Sequence, residues 1–406
     1  MAPARIMKAF RRLFEMQRSE LAGFVGYLAI AALFRASNNS VQTTAPLLGR
    51  QALSLSTSSI GLAVALSGVS AVLTAFLISV RKTPLKSAPR LALLATGLSI
   101  LLVISKDPAG FFLGYIALGI SGGVMYPSLA TIGSHLEGVS PSRGVAAYTF
   151  ALSASLAVGP LLESVLLRLW PGSLVVAMGS FLPFVLLALW LTKKTEVGSV
   201  QGPPEVVVPK KKISVAELMR IRGFRIAIYT QLIYSFPFVA AVSFGALVAH
   251  FIYHVSASST QLAFTTLFMA SFASRGVILL YPHKLKLRAL VIFSSSLSII
   301  AIVIFALGSS PMELFLSFAL LGIPHGLVYP ISLNLARNSI NEDELDRANS
   351  LLSAAAGSAN IISPFILGYF ADFFGLRWMI ILVLIPTIAF AIPSIKREGY
   401  LTLATQ

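Results

Sequence analysis

The sequence LGISGGVMYP at residues 118–127 occurs a second time as LGIPHGLVYP at residues 321–330. Six of the ten positions are identical, at an offset of 203 residues. At an offset of 204 residues the correspondence continues, so that Arg143 in the first copy is equivalent to Arg347 in the second. An internal repeat that stays in register over this distance indicates that the chain is built from two equivalent halves.

The composition excludes most soluble proteins. The chain has 406 residues, of which 56% are hydrophobic and 11% charged, and its mean hydropathy is +0.84. Soluble domains carry about 25% charged residues, so these charges are too few to cover a cytosolic enzyme of this size or to keep the chain disordered. The sequence contains no cysteine, which excludes a disulfide scaffold, a thiolate metal site and a cysteine nucleophile.

Long apolar segments recur throughout the chain. A membrane-spanning helix needs about 20 mostly apolar residues, and twelve such segments are predicted. They are apolar all round and too long for buried strands, which predicts an all-α membrane protein. The segments are residues 21–48, 55–80, 91–105, 110–133, 144–167, 173–192, 224–252, 259–281, 289–308, 312–336, 347–371 and 377–394.

The positions of the basic residues indicate which connecting segments face the cytoplasm. With the N-terminus in the cytoplasm, 25 of the 31 Lys and Arg residues fall in cytoplasmic segments, four fall outside, and Arg35 and Arg275 fall within spans. Because positive residues favour cytoplasmic loops, we expect a multi-pass protein of the plasma membrane with both termini in the cytoplasm. Contact with anionic lipid headgroups then accounts for the net charge of +16 without nucleic acid.

The apolar pattern is interrupted at residues 193–223, which contain a Gly-Pro-Pro run and a Lys triplet. We expect this segment to be a cytoplasmic linker between an N-terminal six-helix bundle, residues 1–192, and a C-terminal six-helix bundle, residues 224–406. Residues 1–20 form a basic cytoplasmic segment. Within it, residues 5–17 are interpreted either as an amphipathic helix on the membrane surface or as a simple charged flank.

Two features of the repeat resemble the major facilitator superfamily (MFS). One is the glycine motif at residues 118–127 in span 4. The other is Arg143-Gly144 followed by Gly159-Pro160, which is similar to the R-G-x-A … G-P-x-x-G-G run of that family. The resemblance covers essentially the whole chain. It implies twelve transmembrane helices in two pseudo-symmetric six-helix bundles, the MFS fold, with a substrate site between the bundles that spans 1, 4, 7 and 10 line.

The sequence departs from the family pattern at three places. The loop after span 2 keeps basic residues but lacks the usual acidic one. In span 5, Gly159-Pro160 is followed by Glu163-Ser164 where the family's antiporter-associated run has two glycines. Span 4 has Tyr115 at the position of the arginine in drug antiporters. The antiporter signature is therefore partial.

The sharpest functional signal is Arg35, near the middle of span 1. An uncompensated arginine there costs at least about 2.5–3.5 kcal/mol. Asn38, Asn39 and Gln42 follow three, four and seven residues later and are predicted to share its helical face, which then lines a cavity or the bundle interior. Arg35 either binds an anionic or strongly polar substrate group or is a buried structural partner of carbonyls or a tyrosine.

Other polar residues of the spans are candidates for binding, proton coupling or gating. His325 is interpreted either as a proton carrier or as a neutral residue bonded between helices, and Glu163 is the second candidate for proton coupling. Arg275 is either a gate or anion-site residue or a structural one. The further substrate-binding candidates are Tyr126, Gln231, Tyr234, Tyr329 and His325, and the further gating candidates are Arg81, Arg143 and Arg347.

These observations predict a secondary active transporter that moves a small solute by alternating access, with a small organic anion at Arg35 as the leading cargo. A proton-coupled multidrug or metabolite efflux antiporter is the alternative. A membrane-embedded enzyme is the other class, but no HExxH or Walker motif is present, and no enzyme activity is expected. We expect no cofactor or metal, no nucleic acid, and a monomer whose partners are the substrate, membrane lipid and, as a candidate coupling ion, protons.

Overall fold

A computed structural model describes residues 18–81, 87–136, 139, 141–194, 214–280, 286–341 and 344–396. Within these ranges the regular structure is helical throughout, as the sequence predicted. The predicted surface helix at residues 5–17 and most of the central linker lie outside the described residues. The helices are α1 (Arg18–Ala52), α2 (Thr57–Arg81), α3 (Ala88–Ile104), α4 (Pro108–Ser134), α5 (Pro141–Leu169), α6 (Leu174–Gly179), α7 (Leu182–Lys194), α8 (Val215–Arg220), α9 (Arg222–Phe251), α10 (Ala257–Leu280), α11 (Leu287–Leu307), α12 (Pro311–Arg337), α13 (Leu345–Phe374), α14 (Leu376–Leu382) and α15 (Leu384–Ser394).

Ten segments of the described chain are long and apolar enough to cross a membrane. They are α1, α2, α4, α5, α9, α11, α12, α13 and the paired segments α6–α7 and α14–α15. The sequence predicted twelve. The other two predicted spans correspond to α3, which has 17 residues, and to α10, whose apolar character is diluted by Gln261, Arg275 and several serines and threonines.

In the first half of the chain, α1 to α7, the repeated glycines let two helix backbones touch. A Cβ on Gly119 would collide with the carbonyl oxygen of Ser67, and a Cβ on Gly123 would collide with that of Ala71. Only a residue without a side chain fits at either position. These glycines therefore hold α4 directly against α2, in the close packing that small residues permit between membrane helices.

The second half, α9 to α15, repeats this contact. A Cβ on Gly322 would collide with the carbonyl oxygen of Leu267, and a Cβ on Gly326 with that of Ser271. Here α12 packs against α10 as α4 packs against α2. The repeated sequence thus encodes a repeated helix contact, which explains why its glycines occur twice.

The two halves meet most closely at one end of the molecule, where α1 ends and α2 begins. We call this the distal end, and we call the opposite end, where α1 begins and α15 ends, the terminal end. At the distal end α2 and α13 approach so closely that a Cβ on Gly61 would collide with the carbonyl oxygen of Pro364. Nearby, the hydroxyl of Ser258 on α10 donates to the carbonyl oxygen of Ser164 on α5 at 2.7 Å. The distal end is therefore closed.

Asp372, near the end of α13, caps a helix of the other half. Its Oδ1 and Oδ2 accept hydrogen bonds from the backbone N–H groups of Thr57 at 2.8 Å and Ser58 at 2.9 Å, the first residues of α2. The first N–H groups of a helix have no partner within it, and a carboxylate also suits the positive end of the helix dipole. No pattern in the sequence singles out Asp372, but its carboxylate fastens the two halves together.

Replacing Asp372 with alanine is expected to loosen the distal end while each half stays folded. Loss of an N-cap costs about 0.5–2 kcal/mol, which raises the population of molecules separated at this end by about 2- to 30-fold. Because the chain has no cysteine, spin labels at Trp170→Cys and Met312→Cys can report the distance between the halves by double electron–electron resonance. Both side chains are exposed, at 51% and 81%.

Asp107→Ala is the matched control. Asp107 caps α4 by accepting a hydrogen bond from Gly110 N at 2.7 Å, entirely within the first half. We expect this variant to leave the distance distribution unchanged. A long-distance population that does not grow with Asp372→Ala, or that grows equally with Asp107→Ala, would contradict the role of Asp372.

Candidate functional site

A cavity of about 580 Å³ lies between the two halves, within the size range of small-molecule sites. The resemblance implied that spans 1, 4, 7 and 10, which are α1, α4, α9 and α12, line the cavity. They do, but α2, α5, α10 and α13 also contribute residues to the wall. These four helices form the contacts between the halves and so close the sides of the cavity. Within the described part of the chain, none of the lining residues is Asp or Glu. The polar lining residues are Arg35, Asn38, Gln42, Ser67, Tyr115, Tyr126, Ser243, Arg275, His325 and Asn360.

Arg35 projects into this cavity from α1. Its Nη1 donates a hydrogen bond to the hydroxyl of Tyr126 on α4, and its Cζ lies 5.5 Å from the centre of the same ring. Farther along α1, Gln42 Nε2 donates to Asn38 Oδ1 at 2.9 Å. A guanidinium carries five N–H donors, so a single hydroxyl leaves most of this donor set available to a ligand.

Arg275 enters the cavity from α10 in the other half. Its Nη1 donates to the hydroxyl of Ser153 on α5, so the side chain bridges the interface between the halves. Its charge interacts electrostatically with that of Arg35. The sequence interpretation placed Arg275 among the gating residues, whereas the structure puts it in the wall of the same cavity as Arg35.

His325 sits in a group of aromatic rings at the cavity wall. Its ring is stacked on Phe238 with the centroids 4.4 Å apart, and its centroid is 5.4 Å from that of Tyr234. Nδ1 is 2.6 Å from the hydroxyl oxygen of Ser271 on α10. These contacts fix the orientation of the imidazole on the side of the cavity formed by the second half.

Glu163 lies between the cavity and the distal end and is fully buried. Its Oε1 accepts hydrogen bonds from Ser40 at 2.6 Å and Thr44 at 2.8 Å, both on α1. Gln261 Nε2, on α10 of the other half, donates to the Thr44 hydroxyl oxygen at 2.8 Å. Oε2 has no hydrogen-bond partner among the described residues. We call Glu163, Ser40, Thr44 and Gln261 the Glu163 cluster.

Four of the residues predicted to bind substrate lie off the cavity wall. Asn39 is buried with its side-chain N and O both unpaired among the described atoms. The residues of α1 that line the cavity are Arg35, Asn38 and Gln42, spaced three and four residues apart, and Asn39 is not among them. Gln231 and Tyr329 lie nearer the terminal end, and Tyr234 packs beside His325 without lining the cavity.

Among the remaining gating candidates Arg347 has a described side chain, and it does not line the cavity. Arg347 lies in the first turn of α13, and the side chains of Arg81 and Arg143 lie outside the described part of the structure. Asn360 on α13 lines the cavity although the sequence analysis did not select it. An amide within an apolar span, the signal that selected Asn38, also applies to this residue. In the described ranges, no three His, Asp or Glu side chains come together as a metal site would require.

Comparisons with known proteins agree with this architecture. The sequence model described as Major Facilitator Superfamily matches residues 242–398, and no curated protein matches the chain. The structure is similar to a bacterial homologue of the human lysosomal transporter Spinster in an inward-facing and occupied conformation, with a TM-score of 0.69, 13% identity, and coverage of 96% of this chain and 98% of that one.

Two further solved structures have the same fold. A point mutant of the nucleoside transporter NupG gives a TM-score of 0.72 at 13% identity over 92% of this chain and 98% of its own. A point mutant of the peptide transporter POT, in complex with alafosfalin, gives 0.69 at 11% identity over 91% and 93%. At these identities the likeness concerns the fold alone.

The family match and the fold reinforce each other. The sequence match covers most of the second half, the fold match extends over nearly the whole chain, and the glycine contacts show the same packing in both halves. The second half of the chain therefore matches the Major Facilitator Superfamily model, and nearly the whole chain has the fold of solved multi-span membrane transporters.

Proposed function

We propose that this protein carries a small organic anion across the cell membrane by alternating access. In this proposal α3 and α10 also span the membrane, which gives twelve spans in two six-helix bundles, residues 1–192 and 224–406, joined by a cytoplasmic linker at residues 193–223. The cavity between the bundles is the substrate site, as in transporters built from repeated halves.

The observation that carries this proposal is Arg35 in a cavity whose described lining residues include no Asp or Glu. The hydroxyl of Tyr126 orients the guanidinium but does not neutralise it. A charge within the membrane is costly and marks a functional site by default. The planar donor fork of arginine suits a carboxylate or a phosphate, and the side-chain amides of Asn38 and Gln42 add polar groups beside it.

The charge of the cavity weighs against a cationic drug as cargo. Arg35 and Arg275 would both repel a cation, so efflux of cationic compounds is disfavoured. The solved neighbours are described as nucleoside, peptide and Spinster-type transporters, so a single fold serves different cargoes. The cargo of this chain must therefore be argued from the residues that line its own cavity.

The distribution of basic residues supports an assignment of sides. If the terminal end is cytoplasmic, as the excess of Lys and Arg there favours, the closed distal end faces outwards. We infer that the carrier is seen with its cavity directed to the cytoplasm. Arg81, Arg143 and Arg347 then lie at the cytoplasmic end, where we propose that they take part in the inner gate.

Proton coupling is assigned to Glu163 in preference to His325. His325 shares the cavity with two guanidinium groups, which would repel a third positive charge. Glu163 has a buried oxygen without a partner, and its described partners are hydroxyl groups. Because Gln261 of the other half bonds to Thr44, opening of the distal end would break the Glu163 cluster and bring the carboxyl into contact with outside water.

Replacing Arg35 with alanine is expected to lower anion transport about 10- to 100-fold, because hydrogen bonds to a charged group contribute about 1.5–3 kcal/mol. The measurement is the initial rate of uptake into proteoliposomes of the best-transported member of a panel of carboxylates and phosphate esters. Thermal unfolding of the purified variant should stay close to that of the wild type.

Tyr126→Phe provides the matched control for Arg35. It removes the hydroxyl that Arg35 contacts but keeps the aromatic ring and the positive charge, so the loss of transport should be clearly smaller. Equal losses in the two variants, or unfolding of Arg35→Ala, would assign Arg35 a structural role instead of a binding role.

Replacing Glu163 with glutamine is expected to abolish the dependence of transport on a pH gradient. Glutamine keeps the shape and an acceptor oxygen for Ser40 and Thr44 but has no proton to release. Anion counterflow at equal pH on both sides should persist in this variant. His325→Gln should keep the pH response. Loss of the pH response in His325→Gln alone would assign proton coupling to His325. A pH response that persists in both variants would show that neither residue couples transport to protons.

A further inference from the structure

We infer that the ligand of this cavity is a dianion held by two arginines at once, Arg35 from the first half and Arg275 from the second. The inference rests on the proposed function and names the substrate class of the same site. The ligand has two negative charges, as in a dicarboxylate or a phosphate monoester, and monoanions of the same size bind more weakly.

The first argument is the charge balance of the cavity. Arg35 and Arg275 both line it, and none of the described residues in its wall is acidic. Their partners, the hydroxyls of Tyr126 and Ser153, are neutral. Arginine stays protonated in proteins, so the cavity without ligand holds two positive charges. A monoanion leaves one of them unbalanced, whereas a dianion balances both.

The second argument is the placement of the two charges. Arg35 belongs to α1 of the first half, and Arg275 reaches across the interface from α10 of the second. The two guanidinium groups are close enough to act on each other electrostatically, and like charges repel strongly in surroundings of low dielectric constant. A ligand with anionic oxygens directed at both groups replaces this repulsion with two attractions.

The third argument is the supply of hydrogen-bond donors. Each guanidinium offers five N–H groups in a planar fork, and one hydroxyl partner leaves room for bidentate pairing with a carboxylate or phosphate. Asn38, Gln42 and Asn360 add neutral amides to the same wall. The cavity volume of about 580 Å³ accommodates a small ligand between the two arginines.

The internal repeat supplies an independent argument. The turn after α1 and the turn after α9 correspond at an offset of 200 residues, because Leu55 N bonds to Gly49 O and Val255 N bonds to Ala249 O. At this offset the counterpart of Arg35 is Ser235 and that of Arg275 is Ala75, and neither carries a charge. The shared helix packing of the halves is therefore compatible with an uncharged residue at either position. Each arginine is an addition to one half only, which favours a role in binding over a role in the common scaffold.

Binding to the purified full-length protein tests this inference with two pairs of probes that differ by one charge. The pairs are succinate with succinamate, and methyl phosphate with dimethyl phosphate at about pH 8, where the monoester is a dianion. Succinamide is the uncharged control. By isothermal titration calorimetry and thermal shift, the dianion of at least one pair should bind about tenfold more tightly or better, and the pair that shows the difference distinguishes carboxylate from phosphate.

Two variants test whether the arginines cause the preference for a dianion over a monoanion. Arg275→Gln removes the charge but keeps an amide donor for Ser153, and it should reduce the affinity for the dianion to that for the monoanion. Arg35→Gln should weaken the binding of every anion. Arg220→Gln is the matched control, because it removes the same charge from an exposed residue of α8 that does not line the cavity, and discrimination should remain unchanged.

The outcomes separate this inference from the proposed function. Equal affinity for both members of each pair, with Arg35→Gln weakening both, would overturn the dianion assignment and leave anion transport at Arg35 intact. Binding of succinamide or of tetraphenylphosphonium, together with no binding of any anion, would overturn both. Discrimination by the wild-type protein needs no variant, so the inference stays falsifiable even if Arg275→Gln does not fold.

Discussion

Direct backbone contact between helices, which glycine alone permits, is the constraint on which the rest of this structure depends. Gly119 and Gly123 bring α4 onto α2, and Gly322 and Gly326 bring α12 onto α10. In a membrane the hydrophobic effect gives helices little reason to associate, so close packing of small residues must supply the attraction. These contacts set the helix positions within each half, and the helix positions determine the shape of the cavity between the halves.

The helical turns that contain the packing glycines also carry polar residues of the cavity. Tyr126, which holds Arg35, follows Gly123 by three residues, and His325 immediately precedes Gly326. A change in the approach of α4 or α12 would therefore move a cavity residue together with the backbone. The scaffold is symmetric but its functional groups are not: His325 occupies the position that Gly122 has in the first half. The two halves share the same helix packing but carry different side chains, so the cavity between them is chemically asymmetric.

Much of this fold could be predicted from the sequence because it depends on signals that are local or repeated. Apolar length, the excess of basic residues on one side and the glycine repeat are all readable along the chain, and Arg35 stands out because a charge in an apolar span is costly. The sequence named Glu163 as a candidate for proton coupling but could not supply its partners, and it did not single out Asp372. Asp372 acts on amides 315 and 314 positions away in the chain, and the partners of Glu163 depend on which helices become neighbours.

Helix periodicity also had a definite limit at the cavity. It grouped Asn38 with Asn39, but the residues of α1 that line the cavity are Arg35, Asn38 and Gln42. Apolar length and composition identify ten spans in the described chain and leave out α10. That helix carries Gln261 and Arg275 because much of its surface meets other helices, and a protein-facing surface tolerates polar groups that lipid would not.

The interface between α5 and α10 joins the two proposed binding events. On α5, Ser153 contacts Arg275 at the cavity, and Glu163 lies ten residues farther towards the distal end, about 15 Å along the helix. On α10, Gln261 reaches the Glu163 cluster through Thr44. Movement of one helix against the other must therefore change both sites. Neutralising Arg275 with an anion and breaking the Gln261 contact act on a single pair of helices, so cargo and proton need no separate pathway to be coupled.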